Sequence, residues 1–158
     1  FHRFYQMTYA KRSGHGGYLT REFFLEVAPR MGEQVLMAIA EEGGTPVAGA
    51  LYFRDRDTLY GRYWGCIREY DCLHFEACYY QGIDYCIREG LARFDPGAQG
   101  EHKIQRGFEP TTTLSSHWIA RPELDAAIGD FTLREKDQVE RYRQEACSLL
   151  PFKADAGA

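Results

Sequence analysis

The sequence predicts an α/β fold of the α+β kind, with a mixed, mostly antiparallel sheet, a central parallel pair of strands and flanking helices. Three strand-like runs, at residues 35–40, 46–53 and 58–66, are joined by short turn-like segments. This spacing is typical of an antiparallel meander. A helical pattern and a short strand at 91–95 follow the third run. A strand–helix–strand order places two strands parallel through a right-handed crossover.

The size and composition predict one domain. The chain has 158 residues, of which 44% are hydrophobic and 27% are charged. A chain of this size usually encloses one hydrophobic core. We therefore expect a single domain over residues 1–152 and a disordered tail over 153–158. No stretch approaches the roughly 20 apolar residues of a membrane-spanning helix.

Charge and cysteine usage restrict the cellular setting. The net charge of −4 gives no general electrostatic attraction to a polyanion. Five cysteines are scattered along the chain, and an odd number without disulfide spacing indicates reduced thiols and a cytoplasmic protein. The cysteines also lack the Cys-x-x-Cys pairs of a zinc site, so we expect no metal. They are Cys66, Cys72, Cys78, Cys86 and Cys147.

Two helices are predicted before the sheet. Residues 1–12 have helical spacing from the first residue, and Phe1 is not an initiator methionine, which leads us to expect that the chain is part of a longer protein. A glycine-rich break at 13–17 separates this helix from the next. Thr20 is a candidate N-cap of the second helix, and Gly32 is its expected end.

Two further helices are predicted after the meander. Residues 73–89 have apolar side chains at steps of three and four, with Asp71 as a candidate cap and Gly90 as the expected C-terminal stop. After a glycine-rich and charged loop, residues 111–119 predict another strand. Pro122 then suits the first turn of a long helix. Its apolar face comprises Leu124, Ile128, Phe131, Val139, Tyr142, Ala146 and Leu149.

The third strand carries candidate ligand-binding residues. Its side chains alternate, with Tyr60, Arg62 and Trp64 on one face and Gly61, Tyr63 and Gly65 on the other, so one face is bulky and the other nearly bare. A bare face admits a ligand; equally, the glycines mark a bulge or make room for a neighbouring helix. An arginine in a central strand must be paired or line a cleft.

The candidate catalytic residues lie in the loop at 97–108. Glu101 and His102 have side chains that can accept a proton, and Lys103 and Arg106 suit a phosphate or carboxylate. The alternative is a solvated turn whose charged side chains only face water. Glu76 is a second candidate base, because it follows the central strand at the position where open α/β sheets collect ligands.

Several strings of residues resemble the FemAB-like family, whose members are labelled peptidoglycan biosynthesis or recognition proteins and are grouped with GNAT acyltransferases. The loop strings are the most specific, because long identities of unusual polar residues rarely arise from patterning alone. The strings are residues 18–24 (YLTREFF), 46–51 (PVAGAL), 59–65 (LYGRYWG), 74–81 (HFEACYYQ), 97–103 (GAQGEHK) and 106–108 (RGF).

The resemblance implies a GNAT-like domain that transfers an acyl or aminoacyl group to a small-molecule or peptide amine. It implies acyl-CoA or aminoacyl-tRNA as co-substrate, no tightly bound cofactor, and a missing amino-terminal half of the same protein. Tyr63 and Gln99, which lie within the strings above, are further candidates for ligand binding. One departure is the segment 67–72, which lacks the glycines that hold the CoA pyrophosphate in ordinary GNAT enzymes. The rival interpretation is a non-catalytic recognition module for a cell-wall precursor or a nucleotide-linked ligand.

Overall fold

The computed structural model describes residues 1–98 and 100–152. The chain divides into two compact units, Phe1–Ala98 and Gln99–Ala158. The ligand-binding role predicted for Gln99 and the disordered tail predicted for 153–158 fall outside the described residues. One domain over 1–152 stays a prediction.

The first unit contains a four-stranded sheet in the order β1-β2-β3-β4. Strands β1 to β3 form an antiparallel meander, and β4 is parallel to β3. The predicted fold class, a mixed and mostly antiparallel sheet with one parallel pair, is confirmed. The strands are β1 (Val35–Glu42), β2 (Thr45–Arg54), β3 (Thr58–Cys66) and β4 (Arg93–Asp95).

Two helices precede the sheet: α1 (His2–Ser13) and α2 (Arg21–Met31). The Thr20 hydroxyl accepts a hydrogen bond from the Phe23 amide at 3.4 Å, so the predicted N-cap of α2 is confirmed. Gly32 ends α2 at a φ of 55°, a conformation that favours glycine. A short 3-10 turn, Gly32–Gln34, then leads into β1.

One helical run crosses from β3 to β4. It consists of α3 (Leu73–Phe75), a π-helical turn (Glu76–Tyr80) and α4 (Gln81–Glu89), and Gly90 ends it in the left-handed region, as predicted. The prediction that Asp71 caps this run is wrong. Cys72, at a φ of 58°, immediately precedes the run, and no side chain caps it, because the Asp71 carboxylate instead accepts the Cys72 thiol at 3.6 Å.

The core of the first unit lies between the sheet and this helical run. Ala50, Tyr52 and Leu59 from the sheet pack on Ala77 and Cys86 from the run. The π-helical turn is fixed from the sheet side, because the Tyr52 hydroxyl donates a hydrogen bond to the Ala77 carbonyl. Burial raises the pKa of Tyr52, so this hydroxyl keeps its proton and remains a donor.

The opposite face of the sheet carries α1. A Cβ added to Gly65 of β3 would lie 2.3 Å from the backbone carbonyl carbon of Phe4, so the backbone of α1 rests directly on the strand. Tyr5 is 1% exposed, and its hydroxyl oxygen accepts hydrogen bonds from the amides of Tyr18 and Leu19 at 3.0 and 3.2 Å. The alternative interpretation of Gly65, as room for a helix, is therefore the correct one.

The second unit contains a 3-10 helix, Glu101–Arg106, and the long helix α5 (Pro122–Cys147). Pro122 stands in the first turn of α5, as predicted. The prediction of a strand at 111–119 is wrong, since residues 108–119 form neither helix nor strand. β-branched and aromatic residues favour a strand only when a neighbouring strand pairs with them, and Leu114 and Trp118 are 93% and 87% exposed.

Within the part of the chain that the structure describes, no helix combines the length and the apolar character that crossing a membrane requires.

We expect Tyr52→Phe to lower the free energy of unfolding by about 1–2 kcal/mol, because the change removes the buried hydrogen bond from the Tyr52 hydroxyl to the Ala77 carbonyl. Urea denaturation followed by circular dichroism measures the loss. Tyr80→Phe is the matched control, since Tyr80 lies in the same π-helical turn but is 45% exposed. Equal stabilities of the two variants would show that the Tyr52 hydroxyl does not support the turn.

Candidate functional site

Within the first unit, the carboxyl-terminal part of β3 pairs with another strand on one side only. β4 pairs only with Thr58, Leu59 and Tyr60, whereas β3 continues to Cys66. From residue 61 to 66, β2 alone pairs with β3 among the described strands. We call these six residues the open edge. Alternate backbone amides and carbonyls of an edge strand point away from its partner and are free to bind an extended chain.

A cavity of about 510 Å³ lies at the carboxyl end of β3, within the first unit. Its wall is built by the end of β3, the segment after it, the last turns of α1 and the start of the helical run. We call it the β3 cavity. Trp64, Met7 and His74 contribute its apolar and aromatic surface, and Lys11 and Arg12 contribute cationic groups.

Two ion pairs border the β3 cavity. Lys11 pairs with Glu69 and holds the pKa of that carboxyl below its usual range. Arg68 donates to both carboxylate oxygens of Glu42, at 3.0 and 2.9 Å. Burial raises the pKa of the Cys66 thiol in the cavity wall, so Cys66 is protonated at neutral pH and is a poor nucleophile.

The alternation predicted along β3 is interrupted by a β-bulge. Tyr63 pairs with Leu51, but the next pair is Gly61 with Tyr52, so Arg62 is an extra residue. Tyr60 pairs with Phe53, which lies on the same face of β2 as Leu51. Tyr60 and Tyr63 therefore share a face, and the prediction of one bulky and one bare face is wrong.

The three predicted binding residues of β3 have different surroundings. The Tyr60 hydroxyl donates to Asp55 at 2.7 Å in the β2–β3 turn; this bond raises the pKa of Tyr60 and lowers that of Asp55. The guanidinium of Arg62 is exposed and lies 4.9 Å from the centre of the Tyr63 ring. That ring packs edge-on against Tyr5 at 5.3 Å. Tyr60 thus belongs to the turn, and Arg62 and Tyr63 to the open edge.

Glu76 opens the π-helical turn. Its side chain is exposed and accepts a hydrogen bond from the Gln81 amide at 2.8 Å. π-Helical turns are rare and recur at functional sites. The carboxylate is accessible to a ligand, and Gln81 restricts its orientation.

The 3-10 helix of the second unit brings the other four candidates together. The Glu101 carboxylate accepts the Tyr142 hydroxyl at 2.9 Å, and Arg106 donates to the His102 carbonyl at 2.7 Å. The imidazole of His102 lies against Gly100, where a Cβ would come within 2.4 Å of the ring. Burial, and then the charges of Lys103 and Arg106, lower the pKa of His102. His102 is therefore neutral at pH 7 and able to accept a proton.

Sequence reasoning missed the β3 cavity and its charged residues Lys11, Arg12 and Glu69. In the sequence, the first two are ordinary basic residues of a last helical turn, and the third is one charge of a polar loop. Only the contact of α1 with β3 brings them together. In residues 1–98 and 100–152, no three His, Cys, Asp or Glu side chains form a group that could hold a metal ion.

We expect Gly65→Ala to lower the free energy of unfolding by about 1–3 kcal/mol, because the added methyl group pushes the backbone of α1 away from β3. Thermal denaturation measures the effect. The control is Gly129→Ala in α5, where nothing lies within 4 Å of the added Cβ and where alanine favours the helix. A Gly65→Ala variant as stable as the unmodified protein would contradict the close contact.

The family model FemAB-like, described as peptidoglycan biosynthesis/recognition, matches residues 1–154. The function is therefore related to peptidoglycan, and the resemblance seen in the sequence is confirmed. Comparisons with curated proteins and with solved structures gave no match.

Proposed function

The chain belongs to the FemAB-like family, and on that premise we propose that it takes part in transferring an acyl or aminoacyl group to an amine of a peptidoglycan precursor. The observation that carries the proposal is the open edge of β3, at the carboxyl end of a parallel strand pair. Open α/β sheets bind ligands at such ends. An extended peptide adds to a free strand edge through backbone hydrogen bonds.

The reaction makes three chemical demands. The neutral amine attacks the carbonyl carbon of the donor, a bond forms between nitrogen and carbon, and an oxyanion develops on the carbonyl oxygen. The intermediate then releases the leaving group, and the amine loses a proton. The site must therefore hold the donor, accept this proton and stabilise the oxyanion.

His102 and Glu101 are the proposed proton acceptors. The neutral imidazole of His102 takes up a proton directly, and its lowered pKa keeps it available at neutral pH. The hydrogen bond from Tyr142 restricts the Glu101 carboxylate. Lys103 and Arg106 supply positive charge for an anionic part of a substrate. Glu76 stays the second candidate base.

The donor is proposed to be an aminoacyl-tRNA in preference to an acyl-CoA. The segment 67–72 after β3 contains no glycine. In GNAT enzymes that use CoA, glycine backbone amides at this position hold the pyrophosphate. Arg68 and Tyr70 instead fill the segment with side chains, and both contact Glu42.

Recognition without catalysis is the second candidate function. The description of the family names recognition beside biosynthesis, and the missing glycines fit a chain that has no CoA to hold. The decisive experiment incubates the intact full-length protein with a peptidoglycan precursor and either aminoacyl-tRNA or acetyl-CoA. Loss of the acyl group from either donor supports transfer. Binding of the precursor with turnover of neither donor supports recognition.

We expect the double variant Glu101→Gln, His102→Ala to lose at least about 100-fold in transfer rate, because both proposed proton acceptors are removed. Its stability should fall by less than about 1.5 kcal/mol, since the hydrogen bond between Tyr142 and Glu101 joins exposed side chains. The control is Glu135→Gln, His117→Ala, which alters the same residue types at exposed positions of the same unit. Full activity of the first variant would exclude both residues from the mechanism.

We expect His102 to titrate below the ordinary histidine value of about 6.5. As the pH falls through 6.5, the unfolded chain takes up this proton before the folded chain does. The contribution of His102 to stability therefore declines with falling pH until the folded pKa is passed. Imidazole NMR measures the titration. Lys103→Gln should raise the pKa by removing a repelling charge, and a His102 pKa at or above 6.5 would contradict this environment.

A further inference from the structure

We propose that the β3 cavity binds the phosphate group of a small phosphorylated ligand, with Arg12 as the anchoring cation and Glu69 as an internal competitor for Lys11. The proposal concerns a binding site in the first unit and does not depend on the transfer reaction. Its volume of about 510 Å³ falls within the range of about 300–1,000 Å³ that small-molecule sites occupy.

The charged groups of the cavity have an excess of cations. Lys11, Arg12 and Arg68 line it together with one carboxylate, Glu69. This local excess contrasts with the net charge of −4 for the whole chain. Anions are therefore repelled by the protein in general, and an anion that binds here does so through the groups of the cavity.

The guanidinium of Arg68 is already bound by other side chains of the protein. It donates to both oxygens of Glu42, the Tyr70 hydroxyl donates to the same carboxylate at 3.3 Å, and the guanidinium lies 4.7 Å from the Tyr70 ring centre. These contacts hold the segment after β3 in place. Arg68 therefore shapes the cavity more than it offers charge to a ligand.

Arg12 is the available cation. Its guanidinium forms no hydrogen bond or ion pair with any residue in the described ranges 1–98 and 100–152, and its side chain is exposed. A guanidinium has a planar fork of donors that matches two oxygens of a phosphate. The contact of Phe4 with Gly65 fixes the backbone of α1, the helix that carries Arg12.

Lys11 is an exchangeable second cation. Its ion pair with Glu69 joins side chains that are 65% and 83% exposed, and such surface pairs add little stability. A phosphate with up to two negative charges competes with the single charge of Glu69 for the Lys11 ammonium. Glu69 thus opposes binding, both by repelling the ligand and by holding Lys11.

The remaining wall suits the carbon part of the ligand. Trp64 packs edge-on against His74 with ring centres 5.4 Å apart, and Met7 adds a flexible apolar surface. Aromatic side chains of this kind pack against rings of a sugar or a base. The wall therefore favours a phosphorylated molecule that carries a ring over a free inorganic phosphate.

Fluorescence of Trp64 tests the proposal. The chain has two tryptophans, so the exposed Trp118 is replaced by phenylalanine and the remaining signal reports on the cavity. This 158-residue chain is titrated with inorganic pyrophosphate and, separately, with uridine diphosphate at low ionic strength. We expect Arg12→Gln to weaken binding at least about tenfold. We expect Glu69→Gln to tighten it about two- to fivefold, because Lys11 is released.

Arg3→Gln is the matched control, since Arg3 is an exposed arginine of the same helix that does not line the cavity. Equal weakening by Arg12→Gln and Arg3→Gln would overturn the proposal, because only the total charge would then matter. Unchanged or weaker binding in Glu69→Gln would also overturn it. Tighter binding of uridine diphosphate than of pyrophosphate supports the claim that the aromatic wall contacts a ring of the ligand. Equal affinities for the two ligands contradict that claim. Circular dichroism checks that each variant is folded.

Discussion

The contact between the backbone of α1 and Gly65 of β3 is the constraint on which the first unit depends. With a Cβ at this position, Phe4 could not approach the strand. The contact fixes the height of α1 above the sheet and sets the place of Lys11 and Arg12 at the end of the helix. The absence of a Cβ at Gly65 therefore determines where the end of α1, with Lys11 and Arg12, lies relative to β3.

The other face of the sheet is held by a buried polar bond. The Tyr52 hydroxyl donates a hydrogen bond to the Ala77 carbonyl of the π-helical turn, and both groups are buried. Gly82 lets the run approach β4, because a Cβ there would lie 2.5 Å from the Phe94 ring. These contacts place Glu76 at the start of the run. α1 on one face of the sheet and the helical run on the other therefore place cationic side chains and the Glu76 carboxylate near the carboxyl end of β3.

Much of this fold could be predicted from the sequence because its signals are local. Turn segments between apolar runs predicted the meander, and Thr20, Gly32 and Gly90 marked helix ends through side-chain or backbone chemistry that acts within a few residues. The prediction of a strand at 111–119 was wrong because strand formation, unlike a helix end, is not determined by local signals. Strand propensity becomes a strand only when another segment pairs with it, and pairing is a long-range property.

The site was less predictable than the fold. The loop residues from Glu101 to Arg106 stood out as polar groups, and they do share one short helix, but no local pattern indicated that Tyr142 would bind Glu101 across 41 positions. The bulge at Arg62 shifted the faces of β3 by one residue, which period-two reasoning cannot detect. The β3 cavity arises from α1 and β3, about 50 residues apart in the chain.

The claim that the carboxyl end of β3 is the ligand-binding part of this protein is tested most directly by backbone amide NMR of the full-length protein. A peptidoglycan precursor carrying its peptide is added, and shifts are followed for each residue. The account predicts the largest changes in residues 61–66 and in the segment after β3. Changes confined to β1, at the other edge of the sheet, with none along β3 would contradict it.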